Sequence, residues 1–304
     1  MVMFRQMGGT KLANHLGITV RACMARRADI EKRHGISIAS DNHRTTRVEE
    51  HHPQRVTISI KNGEVLIGSD AHLWPGDRSL AQRAFLKFAK ERKPKVVILN
   101  GDVLDFPQIS KHQPIGWEKH PQLHEEIEHA QDYLHELELA CGRGTNKIWT
   151  LGNHDARFAT RLATASPEYK HIRGTRLKDH FPAWEPCWSV WINDSVVVKH
   201  RFKGGLHAPH NNTVTSGRTM VTGHLHSAKV TPWTDYNGDR YGVDTGCLAD
   251  VNARQFVDYT EDAPKNWRSG FCVLTFKDGR LLPPELVTAW DENAVVFRGD
   301  VIKA

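Results

Sequence analysis

Five short clusters of Asp, Asn and His punctuate the chain. They are Ser69-Asp70-Ala71-His72, Gly101-Asp102-Val103-Leu104-Asp105, Gly152-Asn153-His154-Asp155, His200, and Gly223-His224-Leu225-His226. Asp70, Asp102 and Asn153 offer three oxygen donors, and His72, His200, His224 and His226 offer four imidazoles. That donor set suits two divalent first-row ions better than calcium or a thiolate-bound zinc. One carboxylate near the centre can bridge both ions. Two ions about 3.5–4 Å apart clamp a phosphate and activate a water for in-line attack. Each cluster alone would be as well explained by a capped turn or a satisfied histidine, so the weight rests on the ordered set.

The set needs elements to bring it together. Each of the first three clusters follows a short apolar run: EVLIG, KVVILN and NKIWT. Between them, SLAQRAFLKFAKERK places Leu80, Ala84, Phe88 and Ala89 at helical spacing and is stopped at Pro94. A longer helix over 121–141 has Leu123, Ile127, Ala130, Leu134 and Leu137 on one face. The order β-α-β-α-β predicts parallel strands with right-handed crossovers. In such sheets ligands bind beyond the carboxyl ends of the strands, where these clusters lie. The glycines before Asp102, Asn153 and His224 allow the tight turns that would aim the side chains at one point. VTISI, Asn62-Gly63 and EVLIG read as a hairpin. After about 187 three more hairpins follow, with turns at Asn193-Asp194, Asn237-Gly238 and Asp278-Gly279, so this half is expected to be mainly antiparallel. Trp149, Trp188 and Trp191 are expected in the core, and His124, His129 and His135 in solvent. The stretch VDTGCLAD (243–250) reads as a turn.

With 304 residues, 39% apolar and 25% charged, the chain can build a sizeable core and is too apolar for disorder. No apolar run approaches the roughly 18 residues of a membrane span, and no secretory signal is visible, so a cytoplasmic protein without a membrane partner is expected. Five scattered cysteines without a CxxC pair argue against a disulfide framework or zinc knuckle and fit a reducing compartment. Residues 1–53 hold nine Lys/Arg and five Asp/Glu, hence +4 of the total +6. A basic head on a near-neutral body points to a polyanionic partner. Its plain alternative is a solvated charged surface.

The ordered clusters resemble the signature of the calcineurin-like metallophosphoesterases: DxH, GDxxD, GNHD, a single His, then GHxH. SDAH (69–72), GDVLD (101–105), GNHD (152–155), KHRF (199–202) and GHLH (223–226) match in order and spacing. The resemblance spans about residues 55–290. It implies an α/β fold, an αββα sandwich of two mixed sheets flanked by helices, on residues 54–304. It further implies that Asp70, His72, Asp102 and His226 hold one metal. Asp102, Asn153, His200 and His224 would hold the other, with Asp102 bridging. Two divalent ions are implied, Mn2+ first, with Fe, Zn, Ni or Mg as alternatives. His154 would contact the phosphate and assist the leaving group, and Asp155 would orient it. One departure is that Arg201 follows His200 where a glycine is usual, so His207 stands as the alternative ligand. Asp105 is either an outer carboxylate or a loop cap.

KLANHLGITVRACMARRADIEKRHGI resembles a helix-turn-helix, with Gly17 at the turn and Arg21, Arg26 and Arg27 on or near the second helix. Cys23 and Arg26 stand where such motifs usually carry aliphatics. Residues 1–36 are thus a candidate DNA- or RNA-binding head, with a packing arm or disordered tail as alternatives, and 37–53 read as a linker. Similar helical heads on this enzyme class are familiar from phage genomes. The leading expectation is a metal-dependent phosphodiesterase or nuclease acting on nucleic acid. A phosphomonoesterase on nucleotides, small molecules or phosphoproteins is the alternative. A non-catalytic nucleic-acid-binding protein is disfavoured because every expected ligand position is filled.

Overall fold

A computed structural model describes residues 2–35, 38, 54–112, 119–261, 263 and 265–304. The chain divides into two compact units, Met1–Pro53 and Gln54–Ala304.

In the first unit, helix α1 (Val2–His15) turns through Gly17 (φ 64°) into α2 (Val20–His34). Thr19 caps α2, its hydroxyl accepting from the Ala22 N–H at 3.2 Å, and Gly35 closes the helix in the left-handed region. Phe4, Leu12, Ala13, Cys23 and Ile38 form its core. Cys23, out of place as an expected aliphatic, fills a buried position as a small hydrophobe. Ile38 belongs to this core, and its N–H donates to Glu31 at 2.7 Å, so the head runs past residue 36. The expected linker otherwise lies outside the described residues. Arg21 and Arg26 are exposed, whereas Arg27 pairs with Glu31 at 3.0 Å and lies over the Phe4 ring.

The second unit is an αββα sandwich. Its strands are β1 (Arg55–Ile58), β2 (Gly63–Gly68), β3 (Val96–Asn100), β4 (Asn146–Thr150), β5 (Glu185–Cys187), β6 (Ser189–Ile192), β7 (Val196–Val198) and β8 (Thr219–Thr222). They continue as β9 (Lys229–Asp235), β10 (Gly238–Asp244), β11 (Gly270–Lys277), β12 (Arg280–Leu281), β13 (Glu285–Ala289), β14 (Ala294–Phe297) and β15 (Asp300–Lys303). One sheet runs β15-β14-β13-β11-β2-β3-β4-β5, with β12 on β11, and the other runs β1-β6-β7-β8-β10-β9. β2 to β5 are parallel, joined by helices α3 (Leu80–Arg92) and α4 (Leu123–Cys141) between the first three. Alternation along the strands divides the core. Leu66, Val97 and Leu99 face the helices with Phe85, Phe88, Tyr133 and Leu134. Val65, Ile67, Val96 and Ile98 face Val190, Ile192, Val198 and Val221 of the other sheet. Ser79 and Gln82 form a capping box that starts α3, and Lys93 in the left-handed region ends it before Pro94.

The hairpin expected at Asn62-Gly63 does not form. β1 pairs in parallel with β6, while β2 pairs with β3 and β11 in the other sheet. The side-chain amide of Asn193 takes both the Ile60 N–H and its carbonyl, each at 2.8 Å, holding that end of the chain to the second sheet. The other three hairpins form, although β7, β8 and β10 are mutually parallel. Trp149 is buried, but Trp188 is 41% exposed, sitting in the step between β5 and β6, and Trp191 is half-buried under Arg55. Among the described residues no helix is long and apolar enough to cross a membrane.

Candidate metal centre

The carboxyl ends of β2, β3 and β4 lie side by side. The Asp70, His72 and Leu73 N–H groups donate to the carbonyls of Gly101, Asp102 and Val103 at 2.9, 3.0 and 2.8 Å, which knits the first two loops into one surface. His200 arrives from the end of β7 and His224 from the end of β8. Asp70, His72, Asp102, His224 and His226 all hold positive φ, between 39° and 72°. Such strain is tolerated where the surrounding structure fixes the backbone, and it concentrates at functional sites. Close approach also explains two glycines. A Cβ on Gly152 would stand 2.0 Å from Asp102 Oδ1, and one on Gly223 2.4 Å from Ser69 Oγ.

Three donor groups result, one of them His72, Asp105 and His154, and the other two hold expected ligands. Asp70, His72 and His226 place one donor atom each within 4.8 Å of one another, and so do Asp102, His200 and His224. Asn153 lines the same cleft, and its Oδ1 is buried without a hydrogen-bond partner. His200 Nδ1 faces the Asn100 carbonyl at 2.8 Å. A carbonyl only accepts, so Nδ1 carries the proton and the Nε2 lone pair points at the site. His72 Nδ1 likewise faces the Asp105 carboxylate at 3.2 Å. Its Nε2 is buried without a hydrogen-bond partner, and that of His200 is buried with only the Asp102 carboxylate, 3.0 Å away, beside it. Buried polar atoms are rarely left so, and atoms of this kind aimed at one point fit a cation. His207 is exposed at the start of the helix Ala208–Ser216 and joins none of these groups.

Residues 38–228 match the Calcineurin-like phosphoesterase family. The chain belongs to that family. It is therefore a metallophosphoesterase, a hydrolase of phosphate esters in a family that typically binds two divalent metals. It is similar to the Gene 54 proteins of the mycobacteriophages D29, 25% identical over 249 residues, and L5, 25% identical over 254. Each comparison covers 73% of this chain and 92% of the phage protein. Among solved structures it is similar to zinc-complexed Vps29 from Entamoeba histolytica, with 14% identity and a TM-score of 0.40, covering 79% of this chain and 96% of that one. A dimetal phosphatase from Danio rerio gives 10% identity and a TM-score of 0.37, covering 75% and 96%.

Within this phosphoesterase the charges are tightly balanced. Burial works against ionisation of Asp70, but His226, with Nε2 3.1 Å away, and His200 pull its carboxyl down to about 2. Asp102 is held well below the carboxylate range in the same way, with His200 Nε2 at 3.0 Å. Burial disfavours charge on His200, yet Asp102 and Asp70 raise it to about 10, so Nε2 holds a proton between the two carboxylates that a metal ion must displace to use its lone pair. Burial and His200 both lower His224.

The structure reassigns the partner of His154. Its Nδ1 lies 2.6 Å from Asp105 Oδ1, and burial is outweighed by Asp105 and Asp102, which raise the imidazole. Asp155, expected to orient that ring, does not touch it. Its carboxylate accepts from the backbone N–H groups of Asp102, Val103, Leu104 and Gly152 and from Trp149 Nε1, at 2.8–3.2 Å. It is the clamp of the GDVLD loop. VDTGCLAD braces Asp70 from below, the Leu248 and Ala249 N–H groups donating to the Ser69 and Asp70 carbonyls.

Several neighbours of the site escaped the sequence reading. Glu126, buried on α4, accepts from the Asp105 and Phe106 N–H groups at 2.5 and 2.7 Å, and burial pushes its carboxyl up to about 8. Its signal was present, because it sits four residues before Ala130 on the apolar face. Phe256 and Trp267 wall His72 and His226, with ring centroids 4.4–5.9 Å apart. With Trp74, Arg157 and Gln255 they line a cleft of about 310 Å³ over the donors.

Proposed function

We propose that this phosphoesterase is a two-metal phosphodiesterase acting on nucleic acid. The observation that carries the reading is the pair of buried, unpartnered donor atoms on His72 and Asn153, which line one cleft with Asp102, His224 and His226, while His200 Nε2 lies 3.0 Å from the Asp102 carboxylate. Asp70, His72, Asp102 and His226 would hold one ion, and Asp102, Asn153, His200 and His224 the other, with Mn2+ the expected metal. The ions when bound supply Lewis-acid polarisation of the phosphoryl group and a water of lowered pKa. His154 Nδ1 donates to Asp105, which leaves Nε2 turned toward the cleft, 3.9 Å from Asp102 Oδ2. As the ester P–O bond breaks, the proton on Nε2 passes to the leaving oxygen. Asp105 keeps the ring in register for that transfer.

A nucleic-acid substrate is supported by the basic head. Its exposed Arg21 and Arg26 lie on a helix that follows a glycine turn, where side chains of a helix-turn-helix reach phosphates. The five cysteines are free and buried, which fits the cytoplasmic location we assign. The test is hydrolysis of bis-p-nitrophenyl phosphate against p-nitrophenyl phosphate with manganese, beside DNA binding by the full chain and by a chain lacking residues 1–50. Faster turnover of the diester, and DNA binding lost with the head, are expected. Preferential turnover of the monoester would overturn the diesterase reading, and unchanged DNA binding would overturn the role of the head.

A further inference from the structure

Arg157 lies on helix α5 (Asp155–Ala165), three residues after His154, and lines the same cleft. Its Nη1 donates to the carbonyls of Asp105 at 2.8 Å and Phe106 at 3.5 Å. Its Nη2 donates to His154 Nε2 at 3.3 Å, a bond that is given up when Nε2 takes on the proton it passes to the leaving oxygen. Among the described residues no carboxylate forms an ion pair with it, and the Asp105 carboxylate is engaged by His72 and His154. A half-buried guanidinium held by neutral carbonyls keeps its charge and spare N–H groups for another acceptor. The fork is made for a planar or tetrahedral oxyanion.

Its place along the cleft identifies which oxyanion. The scissile phosphoryl group belongs over Asp70, Asp102 and their imidazoles. His154 Nε2 marks the far side of that group, where the leaving oxygen departs. Arg157 stands beside Nε2, against the 105–106 backbone, and Ser110 and His112 line the same cleft. It therefore meets whatever the leaving oxygen carries.

We propose that Arg157 binds a second phosphate on the leaving-group side of the scissile ester. The preferred substrate is then an ester whose leaving group is itself phosphorylated, as at an internal linkage of an oligonucleotide. The inference rests on the reading of His154 as the group that faces the leaving oxygen. A bare brace for the 105–106 loop would explain the two carbonyl bonds, but not a cation, since a neutral amide would serve as well.

The experiment compares three dinucleotides with the manganese-loaded full chain: TpT, pTpT and TpTp. The last two place the extra phosphate on either side of the ester, so one of them carries it on the leaving portion. That one should be cleaved with kcat/KM about ten- to a hundredfold above TpT, as expected for a charge-assisted contact. Arg157→Gln keeps an N–H for the carbonyls and should erase the preference, bringing the three substrates together. Arg157→Lys should restore part of it. Absence of any preference in the wild type, or an equal loss on all three substrates in R157Q, would overturn the proposal. A second readout does not depend on turnover. Calorimetry should show thymidine 3′,5′-bisphosphate binding the wild type at least about tenfold tighter than thymidine 5′-monophosphate, and R157Q binding both alike. Equal affinities in the wild type would overturn it. If no phosphate ester is hydrolysed, the diesterase reading falls, while the binding comparison still decides the role of Arg157.

Discussion

Asp155→Asn separates a structural clamp from a catalytic partner. In the wild type, Oδ2 accepts from Asp102 N at 2.9 Å, Gly152 N at 2.8 Å and Trp149 Nε1 at 3.0 Å, while Oδ1 accepts from Val103 N at 3.0 Å and Leu104 N at 3.2 Å. An amide retains one oxygen. Placed on the side with three donors, it turns its own NH2 toward the Val103 and Leu104 N–H groups. Two buried bonds to a charged acceptor are lost, at about 1.5–3 kcal/mol each, hence about 3–6 kcal/mol in all. For a unit of this size each kcal/mol shifts Tm by about 2–4 °C, so a fall of roughly 6–24 °C is expected. Differential scanning calorimetry with chelator present reads this without interference from metal. His154→Ala should lower kcat by about 10² to 10⁴, with a smaller fall in Tm, about 3–12 °C, because one charge-assisted bond, to Asp105, is lost. A D155N protein that melts like wild type, yet loses activity like H154A, would refute the clamp and restore Asp155 as the partner of the imidazole.

Asp105→Asn should cut kcat by about 10- to 100-fold and weaken metal binding as well, because the same carboxylate holds the Nδ1 atoms of His72 and His154; kinetics beside a metal titration will show whether both effects appear. Gly152→Ala would force its Cβ to 2.0 Å from Asp102 Oδ1 and 2.3 Å from Asp102 N. Elemental analysis should then find at least one ion missing, and full occupancy would contradict the packing argument. Glu126 gives a pH signature. Its carboxyl is raised from 4.5 to about 8 by burial, so the folded state keeps a proton that the unfolded chain releases near pH 4.5. Stability of the metal-free protein should therefore decline as pH rises from about 4.5 to 8. Glu126→Gln, uncharged throughout, should flatten that part of the Tm–pH curve, and an unchanged slope would assign the decline elsewhere.

Much of the fold was legible because its strongest signals are local. The apolar runs that became β3 and β4, and the inner face of α4 from Leu123 to Leu137, need only periodicity to be recognised. The donor clusters were legible for a related reason: a polar residue directly after a buried parallel strand has only the sheet's carboxyl edge to occupy. β1 was not legible. Its partner, β6, lies more than 130 residues away, and the pairing is secured by the β1–β6 ladder and by the Asn193 amide on Ile60. Asn62-Gly63 satisfies the local rules for a hairpin turn, and nothing nearby opposes them.

The partner of His154 shows the same limit at the scale of one ring. Asp155 is its neighbour in sequence, but successive residues at a helix start point roughly 100° apart, so adjacency is poor evidence of contact. The true neighbour in the structure, Asp105, stands on another strand-end loop, and only the side-by-side alignment of β3 and β4 brings it within 2.6 Å. Arg157 was within reach of the sequence reading, because a residue three positions on shares a helix face with the first. A histidine that opens a helix is better read with its i+3 residue than with its i+1 residue. In GNHDAR that rule selects the arginine, the cation found against His154 Nε2, over the aspartate, whose carboxylate turns back into the fold.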